Sequence, residues 1–263
     1  MLRIFFALFW LLLGGCFKTA PSELHLALGN PSKATNSPSN SDNYLMIKPQ
    51  YVLSYNKSKG TANWVSWQLN QSWLGKVDRQ NDFRPDMTLP KDWDKVVPTD
   101  YTNSGFDRGH IAPSGDRTRN IEDNSSTFLM VNMMPQEPDV NRGLWSDLES
   151  YCRSLVTREG KELYIIAGPE GSIKTIGKNR VVVPQFNWKI IVILDQPGSG
   201  VRGVKTNTRA IAVKVPNSPS VKGTNWRQYR VSIDSIEQET GYDFLSLVPK
   251  SIQDEIEKKI DNK

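Results

Sequence analysis

Two groups of short segments in which β-branched and aromatic residues alternate with others flank one stretch of 3.6-residue periodicity, a pattern that commits the chain to strands on either side of a single long helix. The first group runs through Tyr44 to Ile47, Tyr51 to Ser54 and Asn63 to Leu69, with turn residues between, and predicts an antiparallel meander. The second runs through Leu163 to Ala167, Val181 to Val183, Trp188 to Leu194 and Ala210 to Val215. Pro184 lacks a backbone donor, so the segment before it belongs at a sheet edge or bulge. Between the groups Leu144, Leu148, Tyr151, Cys152, Leu155 and Val156 share one helical face, which predicts a helix from about Val140 to Thr157. Strands with segregated helices give an α+β fold with a central antiparallel β-sheet and flanking helices. With 38% apolar residues and 8 Trp, 8 Tyr and 9 Phe, the chain can fill the core such a fold needs.

The ends read differently. Arg3, an apolar run from Ile4 to Leu13, then Gly14 and Gly15 before Cys16 have the form of a signal peptide over residues 1–15. The run is too short to cross a bilayer of ~30 Å as a helix. Leu13-Gly14-Gly15-Cys16 also has the form of a lipobox, so a lipid anchor at Cys16 and ordinary cleavage somewhat downstream are both open. Either way the expectation is an exported protein, periplasmic or extracellular, tethered to a membrane or free. Residues 16–42 are rich in Ser, Asn and Pro around an apolar island from Leu24 to Leu28, and read as a tether with one segment able to dock. Residues 43–263 then form one domain, with Ser251 to Lys259 a solvated helix near its end.

Chemistry has few places to sit. The chain has two histidines, and His25 falls in the N-terminal flank, which leaves His110 within Asp107-Arg108-Gly109-His110. An isolated histidine is more often structural than catalytic, but this one has Arg108, Arg117 and Arg119 nearby in sequence. Positive charge beside a base that is neutral near pH 7 suits an anionic ester. The net charge of +5 and pI near 9.1 lean the same way without deciding it.

Thiolate and multi-histidine metal sites lack ligands here: Cys152 has at most Cys16 as a partner and lies in an apolar helix stripe, so it reads as a small buried hydrophobe. Any metal must be hard, largely hydrated and held by oxygen, which describes Mg²⁺. Residues four apart on a helix advance by only ~40°, so Asn141, Trp145, Glu149 and Arg153 form a row aimed at a common space. The alternative is an N-cap at Asn141 and a surface pair between Glu149 and Arg153, with Asp139 able to take over the cap.

Asp107-Arg108-Gly109-His110, Asn132-Met133-Met134-Pro135-Gln136 and Asn141-Arg142-Gly143-Leu144-Trp145, followed by Glu149 and Arg153, resemble in order and spacing the signature of the DNA/RNA non-specific endonucleases with a ββα-metal active site, of the cyanobacterial nuclease A type. The likeness extends to Gly241-Tyr242-Asp243-Phe244-Leu245. It implies a sugar-non-specific endonuclease that hydrolyses single- and double-stranded DNA and RNA to 5′-phosphate products. It also implies roles: His110 as general base, Asn141 as ligand of one Mg²⁺ (Mn²⁺ substituting), Glu149 ordering the metal's waters, and Arg153 and Arg79 neutralising charge in the transition state. Asp107 would hold the metal's outer shell, Arg108 would support the site, and Asn132 would fix the strand and loop presenting His110. Arg84 is a rival for the part given to Arg79. A dedicated protein inhibitor is a further partner to expect.

Other features lead nowhere. Gly198-Ser199-Gly200 with Gly203 lacks the Lys and Ser/Thr of a phosphate loop, and Ser114 lacks the Gly-x-Ser-x-Gly elbow. The rival from another class is a basic nucleic-acid-binding or lipoprotein interaction module that keeps the fold without turnover.

Overall fold

The computed structural model describes residues 19–178 and 180–263, so the expected signal segment and Cys16 lie outside the described residues. Eleven strands occur in this part: β1 (Tyr44–Ile47), β2 (Val52–Asn56), β3 (Thr61–Leu69), β4 (Asp107–His110), β5 (Met133–Gln136), β6 (Glu162–Glu170), β7 (Lys174–Ile176), β8 (Val181–Val183), β9 (Phe186–Leu194), β10 (Arg209–Pro216) and β11 (Arg230–Val231). The helices are α1 (Pro21–His25), α2 (Ile121–Ser126), α3 (Trp145–Glu159), α4 (Ile233–Thr240) and α5 (Lys250–Ile256). None of the described helices is long and apolar enough to cross a membrane.

Seven strands form one antiparallel sheet in the order β1-β2-β3-β6-β9-β10-β11, which contains every expected strand segment except Val181 to Val183. That segment, stopped by Pro184, pairs with β7 in a ribbon of its own. Because side chains alternate across a strand, β9 sends Ile191 and Ile193 to one face and Trp188, Ile190 and Val192 to the other, and both faces are covered. On the first face Leu148, Cys152, Leu155 and Val156 of α3 close over the sheet. Their spacing is the one that predicted the helix, and Gly160 in the left-handed region (φ 67°) ends it. Burying such a side chain contributes about 1.5–3 kcal/mol relative to leaving it in water.

The second face corrects two expectations. Residues 21–42 are not a tether: His25, Leu28 and Ala34 are buried, Trp64 Nε1 donates to Ser32 Oγ at 2.8 Å, and Thr35 bridges to Tyr44. Polar composition there serves hydrogen bonding along the domain surface. The C-terminal helix is not solvated all round either, since Gln253 and Ile256 of α5 and Glu257 just beyond it are buried, Ile256 among residues of α4 and the segment from Phe244 to Val248.

A small ribbon of β4 and β5 carries the site. Asp107 pairs with Gln136 and His110 with Met133, and residues 137–139 lead from β5 into a π-helical turn, Val140–Leu144, that runs on into α3. Two short strands and a helix thus form the expected ββα unit. A Cβ at Gly109 would lie 2.0 Å from the side-chain oxygen of the buried Gln136, so a larger residue there would have to displace that side chain.

Candidate active site

His110 ends β4 with its ring wedged edge-on against Phe128 (centroids 4.7 Å apart) and Phe83 (5.6 Å), so its orientation is set by packing. The residue is 8% exposed, and its Nε2 is buried without a hydrogen-bond partner. His25 is the opposite case: Gln68 N–H donates to its Nδ1 at 3.2 Å, which leaves Nε2–H to donate to the Pro49 carbonyl at 3.0 Å. One histidine is a satisfied structural group, and the other keeps a nitrogen free in a cleft. A buried polar atom without a partner is costly, and this sets His110 apart from His25.

The chain just beyond His110 is fixed by Asn132. Its Oδ1 accepts from Ala112 N–H at 3.0 Å, and its Nδ2 donates to the carbonyls of Ala112 (2.9 Å) and Thr127 (2.8 Å). With both amide atoms engaged inside the protein, Asn132 is a positioning residue that cannot reach a substrate.

Arg79, Arg108, His110, Asn141, Glu149 and Arg153 all line one cleft of about 390 Å³, together with Ser114 and Gly115. A neighbouring hollow of about 310 Å³ shares Arg79, Arg108 and Asn141 and extends past Asp107 and Arg142. A larger hollow of about 940 Å³ lies at the far end of α3, between Glu159 and Arg209, and is lined by no histidine. The helical row therefore reaches the cleft with one correction. The π-helical turn, with Gly143 outside helical geometry (φ −102°, ψ −118°), breaks the regular spacing, and Trp145 is buried in the core instead. Glu149 and Arg153 do not pair with each other either. Glu149 Oε1 lies 3.4 Å from Lys189 Nζ, and Arg153 Nη1 donates to Asp116 Oδ1 at 3.1 Å.

Lys189 was not anticipated. It stands on β9 under α3, 1% exposed, with its ammonium 4.4 Å from the Trp145 ring centroid. The available signal was one cation inside an otherwise apolar strand. Burial pushes the Glu149 carboxyl above its usual range, and Lys189 offsets only part of that rise.

The other arginines divide clearly. Arg79 Nη1 donates to Ser114 Oγ at 2.7 Å and its guanidinium stacks on Phe128, whereas Arg84 turns away to Asp82 and the Ser125 carbonyl. Arg108 stacks on Phe83 at 4.2 Å. Arg117 and Arg119, part of the charge density expected around His110, stay out of the cleft: Arg117 is fully buried on the carbonyls of Gln50 and Gln68, and Arg119 is paired with Asp123.

Asp107 accepts from Asn141 Nδ2 at 2.9 Å and from both arms of Arg142 at 2.8 and 2.6 Å. Burial alone would raise its pKa, but these hydrogen bonds outweigh it and hold the carboxyl below its usual range. An ionised carboxylate only accepts, so Asp107 must face the NH₂ of Asn141, and that leaves Asn141 Oδ1 without a partner. An unengaged amide oxygen and a carboxylate in one cleft are hard donors and fit a hydrated Mg²⁺ or Mn²⁺. They do not fit a soft metal, since Cys152 is buried with its thiol pushed up to about 12.

Burial, then Arg79 and Arg108, hold the His110 pKa down to about 3, and burial followed by Arg117 does the same for His25. An unfolded histidine titrates near ~6.5. The unfolded chain therefore binds more protons below that value, and the stability contributed by these two groups is full above about pH 6.5 and lost as pH falls toward 3. Each adds up to about 1.4 kcal/mol per pH unit to the slope. Urea unfolding at several pH values should show it, with one proton fewer in His25→Gln; an equal slope in that variant would contradict the assignment.

Comparison with known proteins supplies the family. Residues 28–251 match the DNA/RNA non-specific endonuclease family. A nuclease from Nostoc sp. is 60% identical over 240 residues, 91% of this chain and 87% of that protein. Human mitochondrial endonuclease G is 32% identical over 215 residues, 76% of this chain and 69% of its own. The solved structure of an EndoG/EndoGI complex, described as showing the mechanism of EndoG inhibition, superposes with a TM-score of 0.73 at 26% identity, over 88% of this chain and 94% of that one.

Proposed function

The chain belongs to the family of DNA/RNA non-specific endonucleases, and we propose that it cleaves phosphodiester bonds in the cleft between β4 and α3, with His110 as general base and Asn141 as the protein ligand of a Mg²⁺ ion. The observation that carries this reading is the buried, unpartnered Nε2 of His110 in a cleft that also holds the free Oδ1 of Asn141 and three arginines.

His110, neutral through the physiological range, accepts the proton of a water as it attacks phosphorus. Asp107, itself paired with Arg142, holds the Asn141 amide so that its oxygen is the atom that would take the ion, and Glu149 would order the ion's waters. When bound, Mg²⁺ supplies a positive clamp on the phosphoryl oxygens. Arg79 and Arg153 meet the charge that develops in the transition state, pre-oriented by Ser114 and Asp116. All these groups address phosphate and none addresses a base edge or a 2′-hydroxyl, which is why both nucleic acids, single- or double-stranded, are substrates. The family likeness supports 5′-phosphate products.

Two consequences are measurable. Supercoiled plasmid and total RNA should both be degraded with Mg²⁺ and left intact in excess EDTA, whereas degradation in chelator would remove the metal from the mechanism. Arg79→Ala and Arg153→Ala should slow DNA and RNA cleavage by the same factor, with binding that weakens steeply in salt. A loss confined to one nucleic acid or one sequence class would contradict phosphate-only contact.

The signal-like apolar run before Cys16 supports export to the periplasm or beyond, anchored or released, and mass spectrometry of the mature N-terminus distinguishes these. The likeness to an endonuclease held by an inhibitor supports a protein inhibitor as a partner.

A further inference from the structure

On the sheet face opposite the cleft, Asp234 and Glu237 stand one turn apart on α4, and Glu257 follows the end of α5. One carboxylate oxygen from each lies within 4.8 Å of the other two. Three acidic groups this close normally recruit a lysine or arginine, yet among the described residues none of the three has an ion-pair partner. The nearby Lys250 is paired with Asp254 instead. Glu257 is 2% exposed, and its Oε1 is buried without any hydrogen-bond partner. A carboxylate buried and unsatisfied beside two others is an arrangement that proteins avoid unless something compensates it.

We propose that Asp234, Glu237 and Glu257 form a binding site for a hard divalent cation of the Ca²⁺ class that fastens α4 to the end of α5. The donor set is all oxygen, with no histidine or thiol, which selects Ca²⁺-type ions over zinc or copper. Graded exposure gives the ion a way in: Asp234 is exposed, Glu237 half-buried and Glu257 buried. The cluster is already partly organised, because Glu237 Oε1 accepts from Phe244 N–H at 2.8 Å and the Glu257 carbonyl accepts from Asp234 N–H at 3.1 Å. A Ca²⁺ held by the three carboxylates would bridge both helices. Ile233, Ile236 and Ile256 from the same two helices seal the core on that face, so the ion stabilises the fold and plays no part in cleavage.

The test is thermal unfolding of the full chain against added CaCl₂, with calorimetric titration of the same ion, in the parent, Glu257→Gln, Asp234→Asn and Asn141→Ala. At ten times Kd, a site that binds only the folded state raises Tm by roughly 3–6 °C. The expected result is that shift in the parent and in Asn141→Ala, its loss in Glu257→Gln and Asp234→Asn, and unchanged Mg²⁺-dependent cleavage in the last two. Asp234→Asn changes only an exposed group, so a folded variant is available even if Glu257→Gln is not. No shift and no calorimetric binding up to 10 mM CaCl₂ would overturn the proposal, leaving a proton shared among carboxylates. A shift lost in Asn141→Ala but kept in Asp234→Asn would equally overturn it, by moving the binding to the cleft.

Discussion

His110→Ala should bind nucleic acid about as tightly as the parent and cleave it more slowly by ~10²- to 10⁴-fold, the usual loss for a missing general base. That is about 3–5.5 kcal/mol of barrier. The variant loses the one imidazole that lines the cleft among the described residues but keeps Asn141, Glu149 and the arginines. The fold should survive, because the His110 side chain makes no hydrogen bond that would be broken and its contribution is packing against Phe83 and Phe128. The pH profile gives a second reading. From sequence alone the imidazole is expected near its ordinary ~6.5. Burial, Arg79 and Arg108 move it down to about 3 in the structure, and it acts as a base only when neutral. The kcat/KM of the parent, which reports the free enzyme, should therefore stay level from pH 8 to 6 and fall only below about 5. An acid limb centred near 6.5 would place a different group in that role, and so would near-parental cleavage by folded, metal-replete His110→Ala.

Asn141→Ala should lose metal-dependent turnover by at least ~10²-fold while remaining folded. Outer-shell partners of metal ligands already carry ~10- to 100-fold in metal affinity or activity, and Asn141 is the proposed inner ligand. Its structural role is modest: the side chain makes one hydrogen bond, to Asp107, and such a bond is worth about 1 kcal/mol. Asp107 would keep both contacts to Arg142 in the variant. The loss should appear as a raised Mg²⁺ requirement, recoverable in part at high Mn²⁺. Full activity at ordinary Mg²⁺ in a folded Asn141→Ala would mean that the ion is held elsewhere.

What the sequence conveyed follows from which forces leave a local trace. Burial against a sheet leaves alternation and burial against a helix leaves 3.6-residue spacing, so α3 and every strand of the main sheet except the two-residue β11 were legible, and the expected class of a central antiparallel sheet with flanking helices is the one found. β5 left no such trace, because Met134, Pro135 and Gln136 carry little β signal and their strand exists by pairing with β4. α4 was legible in principle, through Ser232 as its cap, Ile233 and Ile236 on one face and Gly241 at its end, but it is short. Residues 21–42 were misread because Ser, Asn and Pro make a linker composition even when, as with Ser32 on Asn43 and Trp64, they hydrogen-bond into the domain.

The site divides along the same line. His110, Asn141, Glu149 and Arg153 were found from motif order, and Arg79 and Arg108 meet them in the cleft. The groups that tune them come from distant segments: Lys189 from β9 under Glu149, Asp116 on Arg153, Ser114 on Arg79. Spacing along one element cannot show a pairing made across the fold.

The cleft reading can be tested by locating the metal itself. In crystals of the full mature chain soaked in Mn²⁺, anomalous scattering should show one ion in the cleft at roughly 2.0–2.3 Å from Asn141 Oδ1, with waters completing its shell and Glu149 beside them. A protein that cleaves DNA with Mn²⁺ yet shows no ion near Asn141, or places its only ion at Asp234, Glu237 and Glu257, would contradict the account.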